Sequence, residues 1–315
     1  MATLSEYAKL SNDVLLDGVY ENIITTSELA PHLQFMSFEG NSLKYNRENA
    51  LPTATTHAVG DTWADTEPTY TAKSASLAIV GVQAPLDRYA LQTRSNVQSQ
   101  EARLFGMMAK SLSRKIEDLI ITGEPEAVTT QFEGLDSLCR ADTRMMAMDD
   151  LVVDGPGTAE TTLTLAAVDK LIDMIEDGLP DALIMNKTMR RKLTSLMRAS
   201  GGGVTLDRIE MFGRQVYLYN TVPIVISDYI TNSEQYNDSS TWPSSTATTI
   251  FAVKFGEDKQ GYTIIHNGDV LNPDIQNIGI KEKANENLYR MVVYIQAVAF
   301  SAKMIAALGG IDSSS

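Results

Sequence analysis

The sequence predicts an α+β protein organised around one long extended hairpin, and three observations lead to that reading. Residues 38–88 alternate with a strand-like period of two on both limbs, Leu43, Tyr45 and Arg47 going out and Leu77 and Ile79, then later Val80 and Val82, coming back. Apolar residues then recur at three- and four-residue steps from about Ser95 to Ile121, a helical stripe ending at Gly123. Near the C-terminus, NLYRMVVYIQAVAFSAKMIAAL from Asn287 is rich in β-branched and aromatic residues and reads as a long strand. Whether its end, after Ser301, turns helical is left open by the pattern.

In chain order, Leu4, Tyr7, Leu10, Val14, Leu15, Val19 and Ile23 fit a short amphipathic helix and an extended arm, weakened by Asn12, Asp13 and Gly18. The hairpin follows, its central segment punctuated by Pro52, Gly60 and Pro68 and holding Trp63 and Tyr70 with few aliphatic residues. A two-stranded ribbon of this length is marginal alone in water. Its support is therefore expected on another subunit. The long helix, at ~1.5 Å per residue, is about 40 Å long and serves as the spine of a domain. Residues 123–157 read as irregular, with Met145, Met146 and Met148 as packing residues.

An α/β-like unit begins near Thr162. Leu165, Val168, Leu171, Ile172 and Ile175 form a helix stripe ending at Gly178, Ala182–Met185 is a short buried strand, and Asn186 caps a helix from Lys187 to about Arg198. Strand-type segments cover Gln215–Tyr219, Val222–Ser227, Ile250–Phe255 and Tyr262–Ile265. The polar run Thr231–Thr249 is an exposed loop.

Composition narrows function. The 315 residues, 43% hydrophobic, suffice for a sizeable core. With 40 acidic against 26 basic residues the net charge is −14, and no Lys/Arg block stands out as a phosphate-binding face, which argues against sequence-specific nucleic-acid binding. Cys139 is the single cysteine, so no disulfide staples the fold and a reducing compartment is expected. The N-terminus lacks a basic stretch followed by an apolar one, which argues against a signal peptide, and no apolar run approaches the ~20 residues that span a bilayer.

The order of elements resembles the major capsid proteins of tailed bacteriophages with the Hong Kong 97-type fold. The pieces that carry the resemblance are KYNRENALP opening the hairpin, PLDR at its exit, FEGLDSL after the spine helix, MNKTMRRKLTSL, and FGRQVYLYNTVPIVIS. The resemblance implies an N-terminal arm over 1–37, an E-loop hairpin over 38–88, a peripheral domain over 89–157 with its spine helix at 95–122, an axial domain over 158–270, and returning peripheral strands and tail over 271–315. It implies intersubunit contacts from Tyr7 of the arm and from Tyr45, Arg47, Trp63, Tyr70 and Arg88 of the hairpin. Tyr236 and Trp242 would lie in a loop at the capsomer axes. Trp63 either anchors in a neighbour's pocket or packs within its own loop, and Arg47 and Arg88 would meet carboxylates of adjacent subunits.

The sequence starts almost directly at the arm, without the long charged segment of relatives that fuse scaffold to capsid protein, so a separate scaffolding protein is expected. Lys44 and Lys73 are available for the isopeptide bond some relatives form, but no asparagine or acid can be matched to it, and both read as solvated or ion-paired lysines.

Catalytic patterns are absent. There is no G-x-S-x-G turn and no phosphate-cradling glycine loop, and Gly201–Gly203 follows a helix instead of opening one. His32, His57 and His266 are far apart in sequence. Asp61, Asp65 and Glu67 lack the spacing of a calcium loop and read as a solvated tip or intersubunit ion pairs. No catalytic, cofactor or metal site is assigned.

The resemblance thus implies a non-enzymatic protein that self-assembles as pentamers and hexamers into an icosahedral shell around double-stranded DNA. It would be synthesised and assembled in a bacterial host's cytoplasm, with scaffold, portal and decoration proteins as partners, no sequence-specific DNA contact and no membrane. An encapsulin, which encloses a cargo enzyme in a shell of the same fold, is the nearest alternative. A soluble α/β enzyme or binding protein with a dimerisation hairpin is the more distant one.

Overall fold

A computed structural model describes residues 29, 32–63, 65–93, 100–148, 151, 161–199, 207–211, 214–233, 247–267 and 275–314. Residues 1–28, 30 and 31 of the expected 1–37 arm, with Tyr7, and the expected axis-loop residues Tyr236 and Trp242 lie outside them, whereas the end of the arm, residues 32–37, is described.

Two sheets carry the architecture. The first is built on the C-terminal strand β13 (Glu286–Ala299), whose 14 residues are long enough to hold different partners along one edge. On that edge β12 (Ile275–Ile280) pairs with Asn287–Met291 and β11 (Tyr262–Asn267) with Tyr294–Ala299; the opposite edge pairs with β4 (Ala78–Asp87) from Glu286 to Ile295. Short β1 (Phe35–Ser37) adds to β11 in parallel. Tyr289, Met291, Val293 and Ile295 alternate into the core, and Arg290 and Tyr294 point the other way, as a half-covered sheet requires.

The second sheet runs β5-β14-β10-β6-β9-β8-β7. These strands are Met145–Ala147, Ile305–Asp312, Ala247–Val253, Ala182–Met185, Val222–Ile226, Arg214–Tyr219 and Asp207–Met211. Its central strands β6 and β10 are buried at every position, so both faces must be covered. Helices α4 (Leu165–Asp173) and α5 (Lys187–Ala199) cover one face. Phe251, Val253, Ile184, Ile305 and Ala307 on the other join the core containing α2 (Gln100–Thr122) and α3 (Leu135–Ala141).

Several sequence expectations meet their elements. The spine helix is α2, described from Gln100, with Met108, Leu112, Ile116, Leu119 and Ile120 on its buried stripe. Its end is set by backbone contact: Gly123 donates to Leu119 O at 3.0 Å and accepts from Gly134 N at 2.8 Å. A Cβ on Gly123 would stand 2.3 Å from the Phe132 carbonyl oxygen, so only glycine lets the two segments meet. Asn186 caps α5 by accepting from Met189 N at 2.8 Å. Met145, Met146 and Met148 are buried packing residues.

Other expectations change. Residues 123–157 contain α3 and β5 where the sequence suggested irregular chain. A short helix α1 (Arg88–Thr93) follows the hairpin's exit. Helix α4 stops at Asp173, and the chain reaches Gly178 through turns, with Asp177 and Gly178 at positive φ. Beyond Ser301 there is one 3-10 turn, Ala302–Met304, before the chain resumes as β14. Sheet membership also crosses the expected divisions. Strand β11, expected in the 158–270 unit, pairs into the sheet of β4 and β13, and β14 and β5 pair into the other sheet.

The buried tyrosines bear on pH dependence. Burial raises the Tyr262 phenol above its usual range, and burial with the hydrogen bond to Asp169 does the same for Tyr219. Above about pH 10 the unfolded chain loses these protons while the folded chain keeps them, so stability is full below that pH and falls as pH rises further. Tyr262→Phe is expected to flatten part of this fall, read as a smaller difference in denaturant midpoint between pH 8 and pH 11. An unchanged difference would remove Tyr262 as a cause.

Candidate assembly surface

The hairpin of residues 38–88 divides into two parts with different neighbours. Its outer part is a ribbon of β2 (Ser42–Ala50) and β3 (Thr69–Ser76), paired from Ser42↔Ser76 to Ala50↔Thr69 with an irregularity between Glu48 and Ala50. Its inner return limb, beyond Leu77, leaves the ribbon and becomes β4 of the first sheet. The expectation of one continuous two-stranded hairpin is corrected accordingly: β13 competes for the return limb with ten cross-strand pairs and takes it.

The ribbon base has support inside its own chain. Ala75 is buried with Ile265 and Val298, and Leu43, Tyr45 and Leu77 pack against them. Tyr45 meets Phe300 edge-to-face at 5.4 Å. Arg47 sits over the Tyr45 ring at 5.7 Å and donates from Nε to Phe300 O at 3.0 Å, from Nη2 to Ala299 O, and from Nη1 to Asp142 Oδ1 at 2.7 Å. The Arg47 and Asp142 side chains are only 10% and 6% exposed, which makes this a largely desolvated ion pair. Lys73 reaches the same oxygen at 3.4 Å, and Asp142 Oδ2 is buried without a partner among the described residues. Partial burial pushes the Tyr45 phenol up, opposed by the Arg47 charge. The carboxylate expected for Arg47 on an adjacent subunit is thus supplied by its own chain. Arg88 is half-buried at the start of α1, and its amide donates to Asn285 O at 3.1 Å.

The ribbon tip contrasts with this base. Leu51, Trp63 and Tyr70 are 71%, 74% and 62% exposed and Val59 fully so, and none has an aliphatic core to enter. The tip's own order is local. Ala58 N donates to Asp61 Oδ2 at 2.6 Å, Thr53 N to Thr66 Oγ1 at 3.1 Å, and the His57 and Trp63 rings lie 4.0 Å apart. Trp63 therefore has a stacking partner in its own loop and still presents most of its surface. Glu48, Asp61, Asp65 and Glu67 make residues 48–72 acidic, without one Lys or Arg.

A second uncovered surface lies on the outer side of the first sheet. Ile79 and Tyr294 are cross-strand partners, 68% and 44% exposed, and Arg290, four residues back along β13 on the same side of the sheet, donates to Gln83 Oε1 at 3.1 and 2.8 Å. This face runs into an open cleft of about 510 Å³ lined by Ser74, Ser76, Ile79, Thr129, Thr130 and Gln296 among others. Glu133 is the one titratable side chain of the cleft's lining, among hydroxyls and amides.

Among the described residues no three His, Cys, Asp or Glu side chains converge as metal ligands, and no helix is long and apolar enough to cross a membrane. Cys139 is fully buried, and burial pushes its thiol well above the usual range, away from the reactive thiolate. Asp142, Phe300 and the carbonyl of Ala299 were not legible as partners of the ribbon: they are 95 to 253 residues from Arg47. The only sequence hint was the alternation that placed Tyr45 and Arg47 on one strand face.

No family model matches the sequence, and no curated protein matches it. In three dimensions it is similar to the chain of the holo-SrpI encapsulin complex from Synechococcus elongatus PCC 7942, with a TM-score of 0.71 and 15% identity over 100% of this chain and 98% of that one. It is also similar to the capsid of the empty GTA particle, with a TM-score of 0.67 and 14% identity over 98% of this chain and 97% of that one. For the capsid of Cyanophage A-1(L) the TM-score is 0.61 and the identity 13%, over 96% of this chain and 99% of that one. The correspondence covers the chain end to end in all three cases, so what this sequence encodes is the Hong Kong 97-type fold shared by phage capsid and encapsulin chains.

Proposed function

We propose that this chain is the major capsid protein of a tailed bacteriophage, assembling as pentamers and hexamers into an icosahedral shell around double-stranded DNA without enzymatic activity. The observation that carries the reading is the ribbon. Its base is locked into its own chain while its tip holds four exposed large apolar side chains away from any core. Surfaces of this kind mark protein–protein contacts. The open sheet face of Ile79, Tyr294 and Arg290 offers apolar area to receive those side chains and a cation for the tip's carboxylates. One copy's tip on the next copy's sheet is a heterologous contact, the kind that closes into rings. In this reading Trp63 and Tyr70 are the anchors, the arm with Tyr7 and the start of α1 with Arg88 flank them, and Tyr236 and Trp242 belong to a loop at the capsomer axis. A scaffolding protein, a portal and a decoration protein are its expected partners, and the bacterial cytoplasm is the site of assembly.

A second reading, an encapsulin-type shell, is favoured by the whole-chain likeness to the Synechococcus protein. Expression of the full chain with and without its genomic neighbours, followed by sizing and electron microscopy, separates the possibilities. A megadalton species with ring-shaped capsomers supports a shell. DNA inside particles made with portal and terminase neighbours supports the phage reading, and a co-purifying enzyme supports the encapsulin. A small defined oligomer with no larger species would overturn both.

A further inference from the structure

Helix α5 carries Lys187, Arg190, Arg191, Lys192 and Arg198 and no acidic residue, in a chain of net charge −14. The sequence alone did not single these residues out as a phosphate-binding face, and the structure divides them into two that are spent inside the fold and three on the exposed side. Arg190 is half-buried, its guanidinium 5.4 Å from the Tyr217 ring centroid and its Nε buried without a partner among the described residues, and Lys192 donates to the Asp312 carbonyl. Lys187, Arg191 and Arg198 lie on the exposed side, at spacings of four and seven, with exposed Ser195 between the last two. Lys187 is paired with Asp228 at 2.7 Å, whereas Arg191 and Arg198 make no ion pair or hydrogen bond among the described residues.

Local physics opposes this arrangement. Lys187 and Arg190 stand in the first turn, where the helix dipole disfavours cations, and Lys187 and Arg191 repel one another at i,i+4. An anionic partner would offset both terms.

Two acidic surfaces of a second copy are poor fits. The ribbon tip is acidic but also apolar, and the exposed side of α5 carries no large apolar residue to receive Trp63 or Val59. The acids of α4 and its following turns are engaged in their own chain apart from exposed Asp173, a single carboxylate against a row of three cations. Asp169 accepts from the Tyr219 hydroxyl at 2.7 Å, Glu176 pairs with Lys303, Asp177 with Lys254 and Asp181 with Lys259. The remaining chemistry is a row of cations with an interleaved hydroxyl, about 16 Å long from residue 187 to 198. Nucleic-acid backbones are contacted by such groups, and duplex DNA presents one charge per ~1.7 Å of axis.

We infer that the exposed side of α5, through Arg191 and Arg198 with Lys187 at its end, binds the phosphate backbone of double-stranded DNA without reading sequence. This rests on the reading that the shell encloses DNA and names the surface that touches it. Acidic surface elsewhere keeps the contact weak and confined to one stripe per subunit.

The test is fluorescence anisotropy of a labelled 20-base-pair duplex with the full chain from 25 to 200 mM NaCl, at protein concentrations where sizing shows unassembled subunits so that every face is accessible. It therefore fails separately from the assembly experiment. The natural chain is expected to bind with affinity that falls steeply with salt and does not change with duplex sequence. Arg191→Ser with Arg198→Ser is expected to weaken binding at least tenfold at 25 mM and to reduce the slope of log K against log salt by about two, one for each phosphate no longer neutralised. Lys44→Ser, an exposed cation on the ribbon, is expected to leave both within twofold. No binding by the natural chain at 25 mM, or an unchanged slope in the double variant, overturns the inference. So does loss of shells in that variant with DNA binding intact, which would make the stripe a contact between copies.

Discussion

Deleting residues 49–69 and closing Glu48 to Tyr70 with an Asn-Gly turn is expected to abolish stable shells while leaving a folded subunit. The removed segment contributes no side chain to either core: its described residues are exposed apart from half-buried His57. The seven pairs from Ser42↔Ser76 to Glu48↔Tyr70 remain, and Asn-Gly suits the tight turn that joins them. The midpoint of thermal unfolding should therefore move by only a few degrees. Assembly should respond very differently. Burying a side chain such as Leu51, Val59 or Trp63 contributes roughly 1.5–3 kcal/mol, and a shell repeats the contact at every subunit. Trp63→Ala should give a graded version, with a raised concentration threshold for particles seen by sizing and microscopy. Shells of normal size and yield from the deletion would show that the tip does not hold neighbours together.

Arg47→Met is expected to destabilise the folded subunit itself, by about 3–5 kcal/mol. Removing the guanidinium leaves the buried Asp142 carboxylate with only Lys73 at 3.4 Å and releases the carbonyls of Ala299 and Phe300. The apparent melting temperature should fall by on the order of 10 °C. Amide exchange should rise along Ser42–Ala50 and Thr69–Ser76, because Arg47 ties the ribbon to the end of β13. Pairing Arg47→Met with Asp142→Leu should recover much of the loss, since exchanging both members of a buried pair for apolar groups removes the orphaned charge. Equal exchange in the ribbon of Arg47→Met and the natural chain would show that the clasp does not set the ribbon's position. The two experiments probe different roles, the base within the subunit and the tip as the proposed contact between subunits.

Cys139 illustrates how far local reading reaches. Its count excluded disulfides, but its burial beside the end of α2 follows from long-range packing. Likewise Asn186 was legible as a cap because a cap is a three-residue affair, whereas its amide's further bonds to Asn232 and Thr248 span 46 and 62 residues. The cations of α5 were visible as letters, yet their division into spent and exposed groups needed Tyr217 and Asp312 in place.

The sequence by itself determined the spine helix, the buried strand Ala182–Met185, the helix capped by Asn186, the strands around Tyr219, Ile224, Phe251 and Ile264, and the acidic, core-less hairpin tip. Each follows from periodicity, propensity or punctuation within a window of a few turns. Only the tertiary structure decided that the hairpin's return limb leaves its partner for β13, that the chain after Ser301 resumes as a strand, and that Arg47 finds Asp142 in its own chain. Those outcomes are competitions between partners distant in sequence. They are settled by which pairing buries more surface and satisfies more hydrogen bonds, and no local pattern records that balance.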